Sequence, residues 1–177
     1  TQANSRNLIE TVRFLSSPEA FGQPVCPVET NHSWVFLTCD HAYKMKKPVK
    51  TRYADWRTPE QREEACLREL HLNRRLAPDV YYQTTPIVRL DSGELRVGGI
   101  GTPIDWLLVM RRLPDELMLD HKLTTDSIGS TEAESVRQVM KRFYREAEKQ
   151  PQTPRLFRRR FLSDIANDER GLLAAGF

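Results

Sequence analysis

Leu8, Ile9, Val12 and Leu15 recur at helical spacing and predict a short amphipathic helix over Ser5 to Leu15. Pro18 closes it, because the residue before a proline is pushed out of the helical region. Pro24 and Pro27 then hold an extended approach. Trp34 to Leu37 is an apolar, β-branched run, Cys39-Asp40-His41 a turn, and Ala42 to Lys47 an alternation of small or apolar with basic residues. The pattern is that of two antiparallel strands joined tightly. Pro48 ends the second, since it has no N–H for a ladder.

Thr58 to Leu76 is the clearest helix. Thr58 suits the N-cap, Pro59 the first helical position, and Gln61 the far side of a capping box. Cys66, Leu70, Asn73 and Leu76 lie near one stripe, flanked by Ala65, Leu67 and Leu72. Pro78 stops the helix. Val80 to Leu90 and Asp105 to Leu113 read as two more strands, separated by the Asp91-Ser92-Gly93 turn and a glycine-rich connection. From Pro114 the pattern turns helical. Thr131 with Glu134 predicts a second capping box, with Val136, Val139, Met140, Phe143 and Ala147 on one face. Gln150 to Pro154 breaks this helix, and a last one is expected over Arg155 to Ala175.

The expected fold is therefore α+β: an antiparallel sheet with one inserted helix, then helices. Three segments are expected: 1–20 as an N-terminal helix, 21–113 as the sheet region, and 114–177 as a helical segment.

Composition narrows the setting. The 177 residues are 39% hydrophobic and 29% charged, enough for a core under a highly charged surface. No apolar run reaches a membrane-spanning length and no signal-peptide pattern is present. Cys26, Cys39 and Cys66 are widely spaced, which fits a reducing cytoplasm and neither a disulfide framework nor a zinc site. A net charge of +3 does not by itself identify a nucleic-acid binder.

Four places carry candidate chemistry. Ala42 and Lys44 share a strand face, where a small residue leaves room for an adenine and an ammonium meets its phosphates. Lys46 shares that face, and Lys47 and Lys50 add charge, so a solvated basic edge strand is the competing reading. Glu69 falls beside the apolar stripe of the long helix and, if buried, needs a cation such as Lys44. The competing reading is an exposed Glu69 paired with Arg62 or Asn73. Glu29 to Ser33 contains no glycine, so it is neither a Walker loop nor a Gly-rich loop. Its backbone amides and the Ser33 hydroxyl are still available to phosphates, with His32 beside them. Met110, Arg111 and Arg112 end the last strand, either as a hinge whose backbone reads adenine or as a plain basic strand end.

Two long segments resemble the aminoglycoside phosphotransferase-like family. Glu29 to Pro48 (ETNHSWVFLTCDHAYKMKKP) resembles a subgroup pattern that runs roughly E-T-H-x-S-W-V-F-L-x-G-D-x-A-Y-K-x-K-K-P-V. Arg68 to Pro78 resembles its E-L-x-L-N-R-R-L-A-P segment, and Val109 to Pro114 its strand-to-hinge transition. The similarity runs from about Asn7 to Phe143 and faintly from Leu156 to Leu173. It implies a protein-kinase-like small lobe over 21–113, the start of a large lobe over 114–177, ATP with Mg²⁺, and γ-phosphoryl transfer to a small-molecule hydroxyl. Lys44 is then the phosphate lysine, Glu69 its helix partner, His32 and Ser33 part of the phosphate-side loop, and Met110, Arg111 and Arg112 the hinge. A P-loop domain on the same full-length chain is also implied.

Departures accompany the resemblance. Cys39 stands at the family's turn glycine, His32 follows Asn31 one place late, and Phe143-Tyr144 replaces a Phe-His pair. The H-x-D-x-x-x-x-N loop and the following metal-binding Asp have no counterpart, since Asp40-His41 and Asp120-His121 have the wrong order and spacing. The chain starts on Thr1 and stops on Phe177 before the family reaches that loop, so a piece of a longer protein is expected, with no catalytic and no metal-ligating residue of its own. The alternatives are a non-catalytic regulatory module, or a polyanion- or RNA-binding protein using Arg155, Arg158, Arg159 and Arg160 with Phe157 and Phe161. Against the latter, Phe157 and Phe161 read as a buried helix face with solvated arginines around it.

Overall fold

The structure, a computed structural model, describes residues 2–51, 53–125, 127–148 and 153–174. The chain divides into two compact units, Thr1–Val139 and Met140–Phe177. The first opens with α1 (Gln2–Leu15) and a 3-10 turn at Pro18–Ala20. There follow β1 (Cys26–Glu29), β2 (Ser33–Leu37), β3 (His41–Lys46), α2 (Pro59–Arg74), β4 (Tyr81–Arg89), β5 (Leu95–Val97) and β6 (Thr102–Arg111). A 3-10 turn at Asp115–Leu117, α3 (Leu119–Thr124), α4 (Ser130–Glu146) and α5 (Pro154–Ala174) complete the order. No helix among the described residues is long and apolar enough to cross a membrane.

All six strands form one antiparallel sheet in the order β1-β2-β3-β6-β4-β5. Two of them, β1 and β5, extend the sheet at its edges beyond the four strands that the hydrophobic pattern predicts. Both are short, and β1 is exposed along its length, so neither carries a buried stripe to read.

Strand alternation gives the sheet two different faces. One packs on α1. Leu15, Phe36, Met45, Ile87 and Leu107 are fully buried together there, ringed by Leu8, Val12, Phe21, Trp34 and Tyr43. Each such side chain contributes about 1.5–3 kcal/mol by leaving water. A two-pronged ion pair from Arg89 to Glu10, at 2.7 and 3.1 Å, ties α1 to β4. The opposite face carries Ala42, Lys44 and Lys46, and α2 packs on β4 and β6.

The predicted start of α2 is present in full. The Thr58 hydroxyl accepts from the Gln61 amide, the Gln61 side chain accepts from the Thr58 amide, and Pro59 opens the helix. Its apolar stripe differs from the expected one. Arg62 and Cys66 are the buried residues of α2, while Leu67, Leu72 and Leu76 are exposed.

α4 begins at Ser130 without the Thr131–Glu134 box. Glu132 reaches back to the Gly129 amide instead, and Glu134 is held by Arg137 and Gln138. Val136 and Val139 remain exposed. The expected break at Gln150 to Gln152 and the end of the last helix at Ala175 lie outside the described residues. In the second unit, the Phe157 and Phe161 rings stack with centroids 6.1 Å apart, yet both are more than half exposed. The expected buried face is therefore not formed at these two residues.

Candidate functional site

The β2-β3-β6 register lays out the α2-side face in rows. Leu37, Ala42 and Met110 are directly opposite one another across the three strands. Two residues along, which is roughly 7 Å, Val35, Lys44 and Leu108 form the next row. Beyond it Ser33 faces Lys46. A low apolar shelf thus leads to a lysine, and then to a second one.

Glu69 closes this arrangement from α2. Its Oε1 accepts from Lys44 Nζ at 2.8 Å and its Oε2 from Lys46 Nζ at 2.6 Å. The exposed pairing with Arg62 or Asn73 is therefore not the one formed. Burial pushes the Glu69 carboxyl up, but the hydrogen bonds and charges of the two lysines outweigh it and hold the group below its usual range. Two ammonium groups on one carboxylate leave the cluster with a net positive charge, which favours an anion nearby.

The two lysines differ in setting. The Lys46 side chain is only 6% exposed, and its ammonium sits over the Trp56 ring, 4.5 Å from the centroid. The Lys44 side chain is 29% exposed, on the open side. An ammonium has three donors, and Glu69 takes one of those of Lys44.

The other candidates fall around this centre. His32 is exposed, with its ring edge-on to Trp56 at 6.1 Å and its carbonyl accepting from the Lys47 amide. Ser33 is buried at 3% exposure, its amide bonded to the Thr30 hydroxyl. It lies inside the sheet beside Lys46, so its hydroxyl is not on the open loop. Glu29 is engaged by Lys47 at 2.5 Å. Met110 is half-buried in the shelf. The Arg111 amide already donates to the Val80 carbonyl and the Arg112 amide to the Asp40 carbonyl, at 2.8 and 2.9 Å. The Arg112 guanidinium reaches the Thr38 carbonyl at 2.8 Å, pinning the strand end to the β2–β3 turn. Both amides are thus engaged within the fold.

Four residues here are not among the sequence-derived site residues. Lys46 as a second Glu69 partner was signalled by its strand parity with Lys44. The Arg62–Asp105 pair, buried at 5% and 3% exposure with both N···O distances 2.8 Å, had a weaker signal: Arg62 stands four residues before Cys66 and seven before Glu69. Trp56 lies on the strap between β3 and α2 and had none. Cys66 is fully buried in the same region, and burial pushes its thiol up to about 12, leaving it inert. Among the described residues no three His, Cys, Asp or Glu side chains gather as a metal-ligating group.

Comparison with known proteins adds little chemistry. The chain is 37% identical over 121 residues to the uncharacterized protein Mb2027c of Mycobacterium bovis and, equally, to the uncharacterized proteins Rv2004c and MT2060 of Mycobacterium tuberculosis. The match covers 68% of this chain but spans about a fifth (22%) of the length of those relatives. No family model and no solved structure matches the chain.

Proposed function

We propose that this chain is the ATP-binding portion of a small-molecule phosphotransferase of the aminoglycoside phosphotransferase-like group, its sheet and α2 forming a protein-kinase-like small lobe. The observation that carries the reading is the Lys44–Glu69 ion pair, made between β3 and the helix inserted after it, one row from the Leu37-Ala42-Met110 shelf. In this reading the shelf lies against the adenine. Lys44 turns its remaining donors to the nucleotide phosphates, as the β3 lysine of a kinase does, while Glu69 keeps it in place. His32 and the loop around it border the phosphates, and Met110 to Arg112 form the strand end beside the base, with the Arg111 and Arg112 amides engaged in the fold.

The resemblance brings Mg²⁺ with the ATP. The reading assigns no residue of this chain to the metal, to orienting the acceptor hydroxyl or to the phosphoryl transfer itself. The acceptor and a P-loop domain belong to a longer protein. The 177 residues alone are expected to bind ATP without turning it over, and metal-dependent phosphate transfer by the purified chain would sink that expectation. Isothermal titration with ATP is the direct test. The expected result is saturable binding that Lys44→Met weakens at least tenfold, about 1.4 kcal/mol. Absence of binding to the wild-type chain, or equal binding by the variant, overturns the reading.

A second reading has its own observation. Arg155, Arg158 and Arg159 border a groove of about 550 Å³ with Pro154 and Leu162 on α5, and the same helix carries the exposed Phe157–Phe161 stack. It predicts binding to single-stranded RNA that falls steeply with salt and ignores ATP.

A further inference from the structure

Arg62 and Glu69 stand seven residues apart on α2, two turns and about 10 Å along one face. Both meet charged partners on the sheet. Arg62 Nε and Nη2 donate to the two carboxylate oxygens of Asp105 on β6, each at 2.8 Å. Its Nη1 donates to the Trp56 and Arg57 carbonyls at 2.9 and 3.2 Å, and the Trp106 amide donates to Asp105 Oδ1 at 2.8 Å. The fork therefore joins the start of α2, the strand β6 and the strap that carries Trp56 under Lys46.

Such a pair is a poor source of stability. Removing both charges from water costs about what their attraction returns, and apolar replacements are often neutral or better. Burial raises the Asp105 carboxyl above its usual range against the pull of Arg62, in keeping with this. What the pair supplies is direction. α2 buries Arg62 and the small Cys66, Leu70 is half-buried, and its leucines at 67 and 72 are exposed, so apolar contacts fix only weakly where the helix sits along its axis. A slip of one residue moves a helical side chain 1.5 Å along the axis and about 100° around it. That displacement would take Glu69 off both lysines.

We propose that Arg62 and Asp105 are positioning residues: their fork sets the register of α2 on β6 and so holds the Glu69 carboxylate between Lys44 and Lys46. The inference rests on the nucleotide reading only where ATP binding is the readout; the position of Glu69 is read without any ligand.

The test uses the whole 177-residue chain as wild type, Arg62→Lys, and the double variant Arg62→Met/Asp105→Leu. Three quantities are measured: the urea midpoint, the titration of the Glu69 side-chain carboxyl by ¹³C NMR, and ATP affinity. The expected result for the double variant is a cooperative urea transition whose midpoint falls by no more than the loss of the Glu69 pairing accounts for, a Glu69 titration moved upward, and ATP affinity lowered at least tenfold. Arg62→Lys keeps the charge without the fork and is expected to fall between. A double variant that keeps both the low Glu69 titration and the affinity overturns the proposal. Should the double variant not fold, Arg62→Lys decides by the same titration, an unchanged Glu69 again overturning it. Wild-type chain that fails to bind ATP removes the nucleotide reading alone, since the Glu69 titration still judges the positioning role.

Discussion

Lys44 and Lys46 make the same type of bond to the same carboxylate, so burial, together with the contact of Lys46 with Trp56, separates the consequences of removing them. Lys46→Met keeps the volume and takes away the charge. It leaves Glu69 Oε2 without the ammonium at 2.6 Å, in a place where the Lys46 side chain was 6% exposed and water has little access. A hydrogen bond between charged groups contributes about 1.5–3 kcal/mol, and a cation over an indole about 0.5–1 kcal/mol or more. Breaking a buried pair outright costs about 3–5 kcal/mol, but Glu69 retains Lys44. The expected loss is therefore about 2–3 kcal/mol, or roughly 4–12 °C in Tm at 2–4 °C per kcal/mol for a chain of this size.

Lys44→Met removes a side chain that is 29% exposed, water replaces its ammonium, and Glu69 keeps Lys46. That change is expected to cost about 1 kcal/mol or less. The assay is urea unfolding followed by far-UV circular dichroism, with equal m-values required before midpoints are compared. Nucleotide affinity should show the reverse order, with Lys44→Met the more damaging. Equal destabilisation by the two variants, or a larger effect from Lys44→Met, would refute the reasoning that burial ranks them.

Three further outcomes follow from the same geometry. Under native conditions a thiol reagent should label Cys26 and Cys39 but spare Cys66, which is buried and has its thiol pushed up to about 12; denaturant should release the third thiol. Gly101→Ala should cost about 1–3 kcal/mol in urea unfolding, because a Cβ there would lie 2.9 Å from the Arg89 carbonyl oxygen and 3.1 Å from Val88 Cβ. The Glu69 carboxyl is depressed in the folded chain, so its contribution to stability is present above the unfolded carboxylate value and is lost as pH falls through the folded one. Glu69→Gln should accordingly flatten the acid limb of the stability curve measured between about pH 5 and 2, and an unchanged limb would count against the two-lysine account.

Local chemistry was legible in the sequence at most places where a residue acts through its neighbours in the chain, the unformed Thr131–Glu134 box being the exception. The Thr58–Gln61 box, Pro59 at the helix start, the shared face of Ala42, Lys44 and Lys46, and the stripe of Leu8, Val12 and Leu15 all depend on backbone periodicity, which reads directly from spacing. The Lys44–Glu69 pairing was legible too, because a carboxylate beside an apolar helix stripe needs a cation and the neighbouring strand offers one.

What only the tertiary structure decided is the set of contacts between elements far apart in sequence. Arg62 finds Asp105 43 positions away, and the sequence offered Arg62 as a neighbour for Glu69 just as readily. Lys46 became the buried lysine because Trp56 folds back beneath its ammonium, and Ser33 left the loop for the sheet interior because β2 begins there. The edge strands β1 and β5 and the exposed leucines of α2 belong to the same class. Periodicity sets which face a side chain occupies along its own element, but which element covers that face depends on how the sheet is ordered. That order, β1-β2-β3-β6-β4-β5, is a property of the packed chain and of no local segment.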